Sequence, residues 1–155
     1  MQGVLNSITT IQRTCPMTCG RLLLDADAAV IDLLRRLLPT PSVPEGYWSV
    51  VGLLDRDRLA GGAVFYSLQP YVDIMMGLAV DTPRALSRGA CRDLAGYAFK
   101  MFGVARVTVE IARGNTRARR AAERAGFKLE GVRRRAYDGT EDAMVYGLLQ
   151  EDLTL

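Results

Sequence analysis

The chain has 155 residues, nearly half apolar and about a quarter charged, enough for one domain with a substantial core. Its net charge is +3 and its mean hydropathy is slightly positive, a globular rather than a disordered composition. It contains no histidine, which excludes Ser–His and Cys–His nucleophilic catalysis, histidine acid–base chemistry and most transition-metal sites, so no metal is expected.

The charge is unevenly spread. Of 20 basic residues 18 are arginine, and nine of those lie between Arg106 and Arg135. So basic a C-terminal third points to a bound anion (a phosphorylated cofactor, nucleic acid or an acidic peptide) or to a solvated arginine face. Cys15, Cys19 and Cys91 make an odd set with no disulfide-framework spacing, and the first two lack further ligands for zinc. No charged-then-apolar leader opens the chain, and every apolar stretch is broken by Asp or Arg well short of a membrane span. A reducing cytoplasm and no membrane contact are expected.

In chain order, the residues before Asp25 carry the least pattern. "DADAAVIDLLRRLL", Asp25 to Leu38, places Val30, Leu33, Leu34, Leu37 and Leu38 on one helical face, and Pro39 stops it. "PTPSVPEG" is a loop. "YWSVVGLLD", "LAGGAVFYSL" and "VDIMMGLAVD" read as three strands with tight turns, an antiparallel meander. The third is apolar almost throughout and is predicted to be buried on both faces at the sheet centre. From Ser87 to Phe102 the period changes to that of a helix closed by Gly103, and "ARVTVEI" returns to strand alternation. A short helix follows, with Ala118, Ala121, Ala122 and Ala125 as its apolar stripe, Asn115 or Thr116 at its start and Gly126 at its end. "FKLEGVRRRAY" and "DAMVYGLL" make a hairpin around Asp138-Gly139. The order predicts a single-domain mixed α/β sheet over residues 1–155, with a parallel central pair joined by a right-handed helix crossover.

In such a sheet a ligand binds beyond the carboxyl ends of the parallel strands. Two features meet there. The loop "DTPRALSRGACRD" after Val80 runs into a helix start, whose free N–H groups suit an anion; Arg84, Arg88 and Arg92 add charge, and Gly89 permits close approach of backbone. The alternative is an ordinary strand-to-helix connection. Glu110, on the polar phase of the next strand, is a candidate base, or else a solvent-facing carboxylate paired with an arginine.

At this point "VTVEIARGNTRARRAAERAGFKLEGVRR" and "YDGTEDAMVYGLL" resemble the C-terminal half of the GNAT superfamily of N-acetyltransferases, and most closely the branch that acetylates ribosomal-protein N-termini. The resemblance rests on Asn115, Ala125-Gly126-Phe127, Glu130-Gly131, Asp138-Gly139 and Asp142, and covers residues 74 to 149. It implies an acetyl-CoA co-substrate, with the backbone of Leu78, Ala79 and Val80 along the pantetheine. The loop Ser87, Arg88, Gly89, Ala90, Cys91 and Arg92 would hold the pyrophosphate, and Asn115 would lie near the CoA end. It also implies Glu110 as general base.

Three positions depart from the family. Leu86 and Cys91 stand at the ends of the phosphate-loop frame. Ala122 stands where some relatives carry an acidic tyrosine, leaving Tyr137, and second Tyr146, as substitutes. Cys91 at a helix start is either an activated thiol or a small packing residue.

The expected function is acetyl transfer from acetyl-CoA to an amine, a protein N-terminus or a small molecule, by a monomer or homodimer. An enzyme acetylating aminoacyl-tRNA is the alternative with a nucleic-acid partner, and a GNAT-like binding module without catalysis is the alternative outside enzymes.

Overall fold

A computed structural model describes residues 21–38, 46, 49–69 and 71–153. The Pro-rich loop read at residues 39–46, apart from Gly46, lies outside the described residues, as do Cys15 and Cys19. The elements are β1 (Leu22–Leu23), α1 (Asp27–Leu37), β2 (Ser49–Asp55), β3 (Arg58–Gln69), β4 (Asp73–Val80), α2 (Arg88–Phe102), β5 (Arg106–Ala112), α3 (Thr116–Arg124), β6 (Lys128–Arg133) and β7 (Ala143–Leu149). A 3-10 turn at Pro83–Leu86 leads into α2.

The seven strands form one sheet in the order β1-β2-β3-β4-β5-β7-β6. β2, β3 and β4 are the predicted antiparallel meander, and β4 and β5 are the parallel pair, joined through α2. The C-terminal strands pair antiparallel as expected, but β7 inserts between β5 and β6. Their connection is longer than a tight hairpin. β6 stops at Arg133 instead of running to Tyr137, because Arg135 turns left-handed (φ 53) and its amide donates to Asp142 Oδ1 at 3.0 Å. β1, which sequence periodicity did not show, pairs with β2 at the other edge.

The two faces of the sheet are covered unequally. On one face α2 and α3 close over Val51, Phe65, Ile74, Met76, Val107, Val109, Tyr146 and Leu148, the main core. Phe65, Tyr97 and Phe102 interlock there with ring centroids 5.5–5.8 Å apart, tilted or edge-on as aromatic quadrupoles prefer. On the other face α1 seals only the meander, burying Val30 and Leu34 against Val50 and Val64. Gly62 makes this approach possible, since a Cβ there would overlap the Val30 methyl. The β5–β7–β6 half of that second face has no helix over it among the described residues.

β4 is fourth of seven strands, hence central, but it is not buried along its whole length. Ile74, Met75 and Met76 are buried, whereas Gly77 to Val80 are only half-buried. The apolar run was predicted to be buried on both faces, and its second half departs from that because its neighbour turns away.

Candidate active site

The parallel ladder between β4 and β5 is short. Asp73 pairs with Arg106, Ile74 with Val107 and Met75 with Thr108, and there it ends. β4 stays with β3 as far as Val80, and β5 stays with β7 as far as Ala112. Each strand follows its antiparallel partner, so the two diverge. The Asp81 amide donates to the Ala60 carbonyl at 2.8 Å. By the alternation of an antiparallel ladder, the peptide groups of Leu78 and Val80 therefore turn from β3 toward the space β5 has left.

A polar clamp holds the closed end. Thr108, 4% exposed, donates its hydroxyl to Asp73 at 2.7 Å and accepts from Arg106 at 3.1 Å; Arg106 also pairs with Glu130 at 2.5 Å. Glu130 is aimed there by a β-bulge between Leu129 and Gly131. Gly147 leaves room for the pair, since any Cβ would overlap both its charged groups.

Above the clamp the parted strands border a cavity of about 110 Å³. Met76 and Leu78 line it from β4, Val109, Glu110 and Ile111 from β5, Leu94 and Ala95 from α2, and Ala118, Ala121, Ala122 and Ala125 from α3. The alanine stripe was predicted to be buried; Ala125, just past the helix, is buried, whereas Ala118, Ala121 and Ala122 are only half-buried along this slot, with Ala122 also packed against the main core. A second cavity of about 210 Å³, bordered by Leu86, Arg88, Cys91, Ala121, Arg124 and Ala125, lies against the first. Leu86, Cys91, Ala121 and Ala125 belong to both, so a channel runs from the strand split to the start of α2 between two arginines.

That helix start is built on Ser87. Its hydroxyl accepts from the Ala90 amide at 3.2 Å and from Arg21 at 2.8 Å, and its carbonyl takes the Cys91 amide. The cap thus uses the Ala90 and Cys91 amides within the helix. The Arg88 and Gly89 amides are the ones a helix start leaves for an incoming group. A Cβ at Gly89 would meet only the Ser87 hydroxyl, at 3.9 Å. Ala90 is fully buried and Arg92 is exposed.

Glu110 is on the opposite phase from Val109 and Ile111, yet all three border the same cavity. This is the signature of a gap through the sheet, reached from both faces. The Glu110 carboxylate is ion-paired with Arg133 from the end of β6 and is itself mostly buried. Tyr66 of β3 lies near both groups; burial pushes its phenol up, Glu110 adds to the rise and Arg133 opposes it.

The other predicted residues divide. Ala79 packs toward α1 and Val80 toward the main core. Asn115 caps α3, its Oδ1 accepting from the Ala118 amide at 3.1 Å, and is not among the residues bordering the cavity. Tyr137 is not brought to the cavity either: it sits in the β6–β7 connection, 39% exposed, with its amide donating to the Glu141 carbonyl. Tyr146 is fully buried, its hydroxyl accepting from Arg119 and donating to Glu123, which commits it to holding α3 on the sheet. Cys91 borders both cavities, and burial pushes its thiol up, with Arg124 partly offsetting. It is therefore a lining thiol and not an activated one. Sequence reasoning missed Arg124, Tyr66 and Arg133 as site residues, and took Leu86 only as a departure in the phosphate-loop frame. Arg124 was at least legible, as a cation one helical turn past Ala121.

A parallel pair that parts over its second half, with a glycine-bearing helix start beside the gap, defines a protein of the acyltransferase type that the sequence resembles. Residues 23–128 match the model of the Acetyltransferase (GNAT) domain, and the chain belongs to that family. Among solved structures it is similar to a probable acetyltransferase, with 29% identity, TM-score 0.59 and coverage of 67% of this chain and 63% of that one. An acetyltransferase of the GNAT family from Bacillus anthracis matches with 22% identity, TM-score 0.54 and coverage of 65% and 64%. RimL, a ribosomal alpha-N-protein acetyltransferase in complex with coenzyme A, matches at 18% identity and TM-score 0.67, over 86% of this chain and 96% of that one. The chain thus spans slightly less than two thirds of the first two relatives. No curated protein matches it.

Proposed function

We propose that the protein is an acetyl-CoA-dependent N-acetyltransferase, working as one domain. The observation that carries the reading is the channel from the β4–β5 split to the start of α2. It has an apolar stretch suited to a pantetheine arm and a mouth with Arg88, Arg124 and helix amides suited to a diphosphate. The backbone of Leu78 to Val80 would lie along the arm, and Ser87 to Arg92 would receive the diphosphate. Because the gap opens through the sheet, the thioester approaches from the α2–α3 face and the amine from the uncovered face.

The chemistry asks for little. The amine nitrogen attacks the thioester carbonyl, the new N–C bond forms, the C–S bond breaks, and CoA leaves as a thiolate that takes up a proton. A peptide N–H turned into the split, from Leu78 or Val80, polarises the carbonyl. Glu110 takes the proton the amine loses, once Arg133 has released it. An α-amino group has a pKa near 8 against about 10.4 for lysine, so a carboxylate base suits a peptide N-terminus or another weakly basic amine better. The likeness to RimL supports the same acceptor class.

Calorimetry with acetyl-CoA tests the reading. One-to-one binding, competed by CoA, is expected. No heat up to about 1 mM, equivalent to about 4 kcal/mol, removes the enzyme reading and leaves a GNAT-fold binding module.

A further inference from the structure

We propose that the acceptor is an amine with a carboxylate close beside it, an acidic peptide N-terminus, and that Arg133 is the residue that selects it. The inference rests on the acetyltransferase reading above and specifies its second substrate.

The argument starts from a base that is already partnered. Glu110 carries the only carboxylate bordering the cavity among the described residues, and it is ion-paired with Arg133. Arg133 is followed by Arg134 and Arg135, both exposed and without an ion-pair partner among the described residues. The acids around them are occupied elsewhere. Asp142 holds Arg113 at 2.7 Å and the Arg135 amide at 3.0 Å; Glu141 accepts from the Gly114 amide; Asp138 accepts from the Thr140 and Glu141 amides. Among the described residues, then, Arg133 is the one guanidinium held against the cavity carboxylate, and no acid is ion-paired with Arg134 or Arg135.

The backbone of this turn is held in place. Arg135 is fixed in its left-handed turn by Asp142, and the Tyr137 amide by the Glu141 carbonyl. One strand beyond Val145, the partner of Glu110, the sheet is bare: Gly131 pairs with Val145, and a Cβ at Gly131 would meet nothing within 4 Å. There is room for an acceptor chain alongside Arg133.

A plain cationic amine meets this face at a disadvantage. To reach Glu110 it must displace Arg133 and leave that guanidinium without its carboxylate. An amine with a neighbouring carboxylate makes an exchange instead. Its ammonium takes Glu110, its carboxylate takes Arg133, and each charge keeps a partner throughout. An extended polyanion such as RNA fits less well, since Arg119 of α3 is turned onto Tyr146 and the Arg113 carbonyl.

The test is a panel of acceptors with saturating acetyl-CoA: peptides alike except for Asp, Gln or Lys at the second and third positions, a linear polyamine, and an aminoacyl-tRNA. Wild type is expected to show kcat/KM about tenfold higher for the Asp peptide than for the Gln peptide, and higher still over Lys, as loss of one charged hydrogen bond implies. Arg133→Gln is expected to bring the Asp-to-Gln ratio near one, and Arg133→Lys to restore part of it. A ratio measured within one variant is insensitive to any general loss of folding. Equal rates across the peptides, a ratio unmoved in Arg133→Gln, or preference for the polyamine or the tRNA overturns the inference while leaving acetyl transfer standing. Failure of acetyl-CoA to bind removes the parent reading as well, so the two failures are distinguishable.

Discussion

Ala121 borders both cavities, at the point where the channel between them passes α3. Ala121→Leu adds three carbons in a gap of about 110 Å³ that no side chain fills. If fully buried, these would contribute about 2.4 kcal/mol at about 0.8 kcal/mol per methylene. The channel is open to solvent at its mouth, so about half, roughly 1 kcal/mol, is the realistic gain. For a chain of this size that raises Tm by about 2–4 °C. In the wild type, acetyl-CoA at about 100 times its Kd adds about 2.7 kcal/mol and raises Tm further. In the variant the leucine occupies the path of the pantetheine, so that ligand-dependent shift is expected to vanish. Thermal melts with and without acetyl-CoA read both effects in one experiment, and they have opposite signs. A variant less stable than wild type would mean the slot is not empty packing space. A variant that still gains its full shift with acetyl-CoA would mean the ligand lies elsewhere, and either result refutes the reasoning.

Glu110→Gln is expected to lower kcat by about 10²–10⁴ while acetyl-CoA binding stays the same, measured by release of CoA thiol; equal turnover across the pH range would show that the proton leaves by another route. Burial raises the Cys91 thiol, so at neutral pH it is protonated. Its alkylation, followed by peptide mapping, is expected to be slower than that of a free cysteine, to go on quickening at pH values where a free cysteine has levelled off, and to be slowed by acetyl-CoA. Fast labelling at pH 7 that acetyl-CoA does not affect would contradict the placement of this side chain. Thr108→Val removes the hydroxyl between Asp73 and Arg106 at the closed end of the split. Left short of a buried partner, Asp73 is expected to cost about 1–3 kcal/mol in urea unfolding, and a loss below about 0.5 kcal/mol would show that the clamp is ornamental.

What the sequence reveals here depends on how far apart the interacting residues are. Local signals read well. The helix predicted from Asp25 to Leu38 forms from Asp27 to Leu37, Gly103 closes α2 in the left-handed conformation, and Asn115 caps α3. The parallel central pair followed from the order of elements. What pattern could not show is pairing at long range. Nothing in periodicity says that β7 enters between β5 and β6, and with it came the split, because β5 follows β7 and abandons β4. The same limit hid the partner of Glu110, which is 23 positions away on a strand not adjacent to its own. Exposure of Tyr137 and burial of Tyr146 also depend on where the C-terminal strands end, so two tyrosines of similar promise on paper have unlike surroundings in the fold. The tyrosine whose phenol feels the Glu110 charge is Tyr66, on a strand read only as part of the meander.

The place of β7 has a consequence for how the molecule assembles. On a ribosome the last strand to emerge is the one that must enter between two earlier ones, so until then β5 and β6 have no common neighbour and the arginine turn has no anchor. The meander with α1 can consolidate early, but the half of the sheet that holds Glu110 is completed in a single late step, with contacts far apart along the chain. Refolding is accordingly expected to recover the nucleus around Val30, Val50 and Val64 before any catalytic competence returns.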